Sequence, residues 1–217
     1  MNPKEQINCF DKQAELYGRI RKKKKYIDHQ WRRQLLARAR GEILEVSVGA
    51  GANFRFYPQL KKITAVDLSP AMIDKAKEAA RDAGLEVQFV LSAVESLDFA
   101  PGSFDTIVST FSLCGYDNPY LILSQFARWC RKDGQILMLE HGASKWLPVL
   151  WIQNLFDPLQ YRRIGCRANG RILEIVQRSG LQILNQERKL FGVIYLISAK
   201  PDQEATKSHA ANPRNVE

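Results

Sequence analysis

No run of 18 or more apolar residues occurs in this 217-residue chain, so no segment is long enough to cross a bilayer as a helix. The opening residues, from Met1 to Gln13, lack the apolar stretch of a secretory leader, and none is expected. Cysteine is scarce: Cys9, Cys114, Cys130 and Cys166 lie far apart, with no CxxC pair. That spacing argues against a disulfide or zinc framework. It predicts reduced, mostly buried thiols in a cytoplasmic protein and no metal site. Internal repeats are absent too. What is present is ordinary for a globular chain, with 45% hydrophobic and 25% charged residues, which excludes wholesale disorder and collagen-like structure. The length suits one domain to one and a half, enough to bury a sheet-and-helix core without covalent staples.

Charge is unevenly placed. Residues 19–40 hold ten basic side chains (Arg19, Arg21, Lys22 to Lys25, Arg32, Arg33, Arg38 and Arg40) against Asp28 alone. That surplus of nine equals the net charge of the whole chain, +9, so the remainder balances to zero. The segment reads as a basic N-terminal helical cap, residues 1–40, in two helical stretches broken near Gly18. Three readings of its charge stay open: a solvated face, attraction to an anionic lipid surface, where each basic residue contributes roughly 1 kcal/mol, or RNA phosphates. Tyr26, Ile27 and Trp31 suit a membrane interface, and no recognisable RNA-binding module accompanies the run, so nucleic acid ranks below membrane.

From residue 41 the pattern changes. Short apolar runs at 43–48, 62–67, 87–91, 104–109 and 134–140 read as buried strands, the last of them after an Asp-Gly turn. Helices are expected from Ser69-Pro70 through Ala79, where the serine caps and the proline takes the first helical position, and at about 118–131. Alternation of this kind implies right-handed crossovers and an α/β architecture with a mostly parallel sheet. Residues 145–166 are aromatic-rich and poorly periodic, an expected insertion or lid over the ligand edge. A helix at about 168–179 and two pairing strands, 181–187 and 192–199, complete the 41–200 domain. The tail, 201–217, is polar and expected to be disordered.

The sharpest motif is Leu44-Glu45-Val46-Ser47-Val48-Gly49-Ala50-Gly51-Ala52-Asn53. A glycine-containing turn after the first parallel strand lets backbone approach a ligand at the carboxyl edge of the sheet. Asp67 ends the second strand, placed to accept from two ribose hydroxyls. Phe54 occupies the position where a dinucleotide fingerprint wants a small residue, so a pyrophosphate is poorly served.

Over about residues 40–200 the arrangement resembles the class I S-adenosylmethionine (SAM) methyltransferases, closest to the ubiquinone/menaquinone methyltransferase type and the related phospholipid and methyltransferase-like thiol methyltransferases. The likeness rests on the glycine loop with Asp67, on Gly51-Ala52-Asn53-Phe54-Arg55-Phe56-Tyr57-Pro58, on Leu139-Glu140-His141-Gly142, and on Asp157-Pro158 leading to Gly165-Cys166. It implies a Rossmann-like seven-stranded sheet with a C-terminal antiparallel hairpin strand. It also implies SAM as cofactor and S-adenosylhomocysteine (SAH) as product. Glu45, Ser47, Gly49, Gly51 and Asn53 would line the methionine and ribose side and Asp67 the ribose, with Leu68 and Met72 beside it. Ala93 and Val94 would serve the adenine, and Thr110 and Phe111 would border both cofactor and acceptor. Two departures stand out: Ser47 replaces the first glycine of the motif, and Ala93 stands where an aspartate is usual.

Methyl transfer is an in-line displacement in which the protein positions two reactants and excludes water. A base is required only for a protonated nucleophile, and His141, after the fifth strand, is the candidate catalytic residue; the alternative is a strand-end hydrogen bond to backbone. Cys114, Trp146, Trp151 and Tyr161 are expected around the acceptor, with Cys114 as an apolar packing group rather than a nucleophile. The apolar insertion and basic arm point to a small or lipophilic acceptor: a quinol carbon, a phospholipid amine or a thiol. They also suit a cytoplasmic protein peripheral to the inner face of a membrane. Two other functions fit the residues: a catalytically silent SAM-binding sensor or assembly factor, and an RNA methyltransferase using the basic arm. The second lacks an Asn-Pro-Pro-Tyr-type motif after the fourth strand.

Overall fold

The computed structural model describes residues 3–58, 62–167 and 169–202, with backbone alone for Pro3 and 162–164. Two helices open the chain, α1 (Pro3–Lys22) and α2 (His29–Leu36). Five strand units follow: β1 (Glu42–Val46), β2 (Lys62–Asp67), α3 (Pro70–Ala83), β3 (Val87–Leu91), β4 (Phe104–Thr110), α4 (Pro119–Trp129) and β5 (Cys130–His141). The chain ends in α5 (Leu147–Ile164), α6 (Ile172–Arg178), β6 (Leu181–Lys189) and β7 (Ile194–Pro201).

The strands form one seven-stranded sheet in the order β3-β2-β1-β4-β5-β7-β6. β1 to β5 run parallel, β7 is antiparallel to β5, and β6 is antiparallel to β7. The strand order reverses between β1 and β4, so the carboxyl ends of those two strands border the crevice where open α/β sheets bind ligands. Strand side chains alternate between two cores. Leu44, Ile107, Ile136 and Met138 pack under α4 and α6, with Phe126 and Trp129 fully buried there. Ile43, Val108, Leu137 and Leu139 face α2 and α3, against Leu36, Ile73 and Ala76. Each such side chain contributes roughly 1.5–3 kcal/mol on burial.

The capping chemistry of α3 explains its fixed position. The Ser69 hydroxyl accepts from the Met72 N–H at 3.1 Å, Pro70 takes the first turn, and Gly84 closes the helix at φ +65°.

Four expectations need correction. α1 passes through Gly18 without interruption to Lys22, and the break falls at 23–28, where three further lysines, Lys23 to Lys25, are followed by Tyr26, Ile27 and Asp28. Asp133-Gly134 is not a turn preceding a strand but part of β5, in a bulge: Phe104 pairs with Cys130 and Thr106 already with Gln135. Residues 147–164 are one helix, whose apolar side chains lie on nearly every side and so mask its period. Finally, Cys114 and Cys166 are joined in a disulfide, with Cα atoms 5.0 Å apart, while Cys9 and Cys130 are free. Pro201 belongs to β7, and the rest of the tail beyond Asp202 lies outside the described residues.

Candidate active site

The loop after β1 is built for close approach. Ser47, Gly49 and Gly51 all adopt positive φ, at +47°, +54° and +75°. Ser47 holds this left-handed conformation without being glycine, and its Oγ meets the Tyr116 hydroxyl at 2.7 Å. A Cβ on Gly51 would lie 2.6 Å from the Ala79 Cβ, so this glycine is where loop and α3 touch. A Cβ on Gly49 would meet nothing within 4 Å, so the loop faces open space there. Asp67, at the end of β2, reaches across: its Oδ2 accepts from the Gly49 N–H at 2.8 Å and its Oδ1 from the Ser69 N–H at 2.9 Å. Burial raises its pKa, and the backbone donors offset part of that rise.

Glu45 lies beneath the loop rather than on it. It is 1% exposed, and its two oxygens accept from Asn53 Nδ2 at 2.9 Å and from the Tyr57 hydroxyl at 2.8 Å. Burial lifts its pKa to about 7. Met72 is likewise buried, packed with Ala14 and Ala50 between α1 and the loop. Leu68 is half-buried, as is Ala93, which precedes a 3₁₀ turn starting at the buried Val94.

Sequence patterning overlooked Arg32. It looks like one charge in a basic run, yet it is 8% exposed and anchors the site. Its Nε donates to Asp28 at 2.8 Å, and its Nη1 donates to Asn53 Oδ1 at 2.6 Å and to Thr110 Oγ1 at 3.2 Å. The guanidinium lies 5.3 Å from the Phe111 ring centre. Arg21 is buried as well, paired with Asp82 at 2.8 Å, so eight of the ten basic residues remain exposed. α1 spans the carboxyl edge: Gln6 donates to the Gly115 carbonyl beyond β4, and Asp11 accepts from the Ser69 hydroxyl of α3. The only advance signal for Arg32 is its i, i+4 spacing from Asp28, the one acid in the run.

The acceptor end lies past β4 and β5. Phe111, at φ +55°, donates its N–H to the Leu139 carbonyl at 2.8 Å and stacks on His141, with ring centres 4.5 Å apart. A bulky residue in that conformation stores strain of order 1–3 kcal/mol, which clusters at functional sites. Glu140 is fully buried, accepting from Ser109 Oγ at 2.6 Å and from the Ser112 and Leu113 N–H groups at 3.0 and 3.2 Å. Burial raises it to about 7 and lowers His141 below its ordinary value, so the imidazole is neutral at pH 7. His141 Nδ1 lies 4.0 Å from Cys166 Sγ.

Two acceptor-side expectations change here. Cys114 is half-buried and covalently tied to the end of α5, not a packing thiol. Trp146 and Trp151 are 60% and 67% exposed and face outward. Tyr161 is half-buried, with the Arg167 guanidinium 4.5 Å from its ring centre.

Comparison with known proteins agrees with this geometry. Residues 44–138 match the model of a methyltransferase domain. A human thiol S-methyltransferase, TMT1B, is 30% identical over 86% of this chain and 75% of its own length. The chain belongs to the class I SAM-dependent methyltransferases. A phosphatidylethanolamine N-methyltransferase of Cereibacter sphaeroides is 28% identical, covering 67% of this methyltransferase and 72% of the relative. The mitochondrial methyltransferase OMS1 of Saccharomyces cerevisiae is 28% identical over 94% of the chain, which spans about half (46%) of that relative's length. Among solved structures, magnesium protoporphyrin IX methyltransferase from Synechocystis PCC 6803, with SAH bound, superposes with a TM-score of 0.69. It has 15% identity, over 91% of this chain and 99% of that one, and so shares the fold. The cofactor of the present chain, as a member of this family, is SAM, and the residues present fit that group: an open face at Gly49, an acid at the end of β2 and a half-buried apolar side chain beside it.

Proposed function

We propose that this methyltransferase acts on a small lipophilic acceptor, a quinol carbon, a phospholipid amine or a thiol, taken from the surface of an anionic membrane. The observation that carries the reading is the outer face of α5. Leu147, Trp151, Ile152, Leu155, Phe156 and Leu159 are 49–77% exposed and recur at helical spacing, so they form one apolar stripe in water. The β6–β7 hairpin tip extends it. Leu190 and Phe191 are 45% and 61% exposed, both at positive φ, and Phe191 packs on Trp146 with ring centres 5.4 Å apart. Such a surface is costly in water and stabilised at a headgroup–acyl boundary. No helix among the described residues is long and apolar enough to cross a membrane. The exposed lysines and arginines of residues 19–40 supply attraction to anionic lipid.

In this reading the backbone at Gly49 and Gly51 receives the methionine portion of the cofactor, Asp67 the ribose hydroxyls, and Leu68, Ala93 and Val94 the adenine. SAM supplies an activated methyl group. The protein aligns the acceptor with it, and Phe111, held by the Leu139 carbonyl and the Arg32 guanidinium, keeps water from the acceptor side. His141 presents a neutral nitrogen there. Relatives named for phospholipid, thiol and quinone substrates support the class of acceptor.

The test is sedimentation with phosphatidylglycerol and phosphatidylcholine vesicles, comparing wild type with Trp151→Glu/Leu155→Glu. Binding to anionic vesicles that the double variant loses, with SAH affinity retained, supports the reading. Equal partition of the two proteins contradicts it.

A further inference from the structure

The disulfide supplies two members of the one cluster of three candidate metal-ligating groups found among the described residues. Cys114 comes from the 3₁₀ turn after β4, His141 ends β5, and Cys166 follows α5. Their ligand atoms all lie within 4.8 Å of one another. Three elements meet to put them there. The Gly165 N–H donates to the Tyr161 carbonyl at 2.9 Å at the end of α5, and the Arg167 N–H donates to the Cys114 carbonyl at 3.1 Å, tying the chain there to the turn after β4. Phe111 holds the imidazole plane from the other side.

We propose that the reduced protein binds one zinc ion through Cys114 Sγ, Cys166 Sγ and His141 Nδ1, and that the fourth position takes the acceptor as a thiolate. The acceptor assignment rests on the methyltransferase reading above; the metal site does not. A tetrahedral zinc ion with two thiolates and one imidazole sets its ligand atoms roughly 3.5–3.8 Å apart. The observed Cys166–His141 separation of 4.0 Å is within a few tenths of that, all three ligand atoms lie within 4.8 Å of one another, and the two sulfurs, bonded here, must move apart to that spacing once reduced. Three protein ligands leave one position open, the pattern of zinc sites that do chemistry rather than only hold a fold. The cluster itself stands at the carboxyl ends of β4 and β5, the edge at which the proposed acceptor approaches. Zinc lowers the pKa of a coordinated thiol, so the proton leaves to solvent and no proton-accepting role for His141 is required.

The steps balance. A dithiol reductant gives two electrons and two protons to the Cys114–Cys166 bond, leaving two thiols and becoming a disulfide itself. Zinc then displaces both thiol protons. An entering RSH loses its proton and binds as RS–Zn. Its sulfur forms a bond to the methyl carbon as the carbon–sulfonium bond breaks, giving RSCH₃ and SAH. The disulfide form has no thiolate to offer, so oxidation and metal occupancy exclude each other.

The experiment uses the full chain reduced with a phosphine, desalted anaerobically and titrated with Co²⁺ as a spectroscopic probe. Zn²⁺ competition against a chromophoric chelator follows, and SAH binding is measured on the same sample. One equivalent of Co²⁺ with tetrahedral d–d bands and thiolate charge-transfer bands is expected, displaced by Zn²⁺. Cys114→Ser and Cys166→Ser should each weaken Zn²⁺ binding at least tenfold while SAH still binds, and Cys9→Ser should bind as wild type. Absence of stoichiometric Co²⁺ in a reduced protein that binds SAH overturns the metal site and leaves the methyltransferase reading standing. Loss of SAH binding would instead undermine that reading. Bands that do not shift when a small alkyl thiol is added overturn the thiol-acceptor assignment.

Discussion

Gly49 and Gly51 sit two residues apart in the loop after β1, yet alanine at each position should do different damage. Both have positive φ, so an L side chain at either costs about 1–2 kcal/mol in the backbone. At Gly51 the new Cβ also stands 2.6 Å from the Ala79 Cβ and 3.2 Å from the Ala76 Cα, against an ordinary contact of about 3.5–4.0 Å. Loop and α3 must part, which adds about 1–3 kcal/mol of overpacking. Gly51→Ala should therefore lose about 2–5 kcal/mol, some 4–20 °C in Tm for a chain of this size. Gly49→Ala meets nothing within 4 Å and should lose only the backbone part, about 2–8 °C. Its methyl instead occupies space the cofactor needs, so SAH affinity should fall at least tenfold, about 1.4 kcal/mol. Thermal melts and calorimetric SAH titrations of both variants separate these effects. A Gly49→Ala variant that binds SAH within twofold of wild type would refute the assignment of the open side of the loop to the cofactor. A smaller Tm loss at Gly51 than at Gly49 would refute the packing argument.

Arg32→Met removes the partner of buried Asp28 and the donor to Asn53, and should cost about 3–5 kcal/mol in urea unfolding; a loss below 1 kcal/mol would show that the α2 anchor is not structural. Glu45 has a folded pKa of about 7, above its unfolded value, so the folded state keeps the proton the unfolded state sheds. Its contribution to stability is full below about pH 4.5, declines as pH rises, and is gone by about pH 7, at up to roughly 1.4 kcal/mol per pH unit. Urea midpoints should fall across that window in wild type and less steeply in Glu45→Gln, and parallel curves would contradict the assignment. Ser47→Gly relieves about 1–2 kcal/mol of left-handed strain but loses the Tyr116 hydrogen bond and loosens the unfolded chain, so Tm should stay within about 4 °C; a large loss would mean the Ser47–Tyr116 contact holds the loop.

The parallel strands were legible because each is a short apolar run between turn signals, and β2 and β3 fall on the residues the pattern marks. The site loop was legible for a related reason: two of its three left-handed positions in five residues are glycines, which take that conformation without strain. α5 was hidden because its apolar residues cover both the packed and the exposed side, which erases the period that identifies a helix. Arg32 was hidden by its neighbours, since ten basic residues in 22 look alike until the fold buries two of them. The Cys114–His141–Cys166 cluster carries no local signature at all. Its members lie 27 and 25 residues apart in sequence and meet only because β4, β5 and the end of α5 share one sheet edge.

The most direct test of the account is calorimetric titration of SAH into wild type and into Asp67→Asn, a variant that keeps an acceptor for the Ser69 N–H. Micromolar binding by wild type, weakened at least tenfold in a folded Asp67→Asn protein, is the predicted result (about 1.4 kcal/mol). No binding by wild type, or equal binding by both proteins, would contradict a cofactor site at the carboxyl ends of β1 and β2.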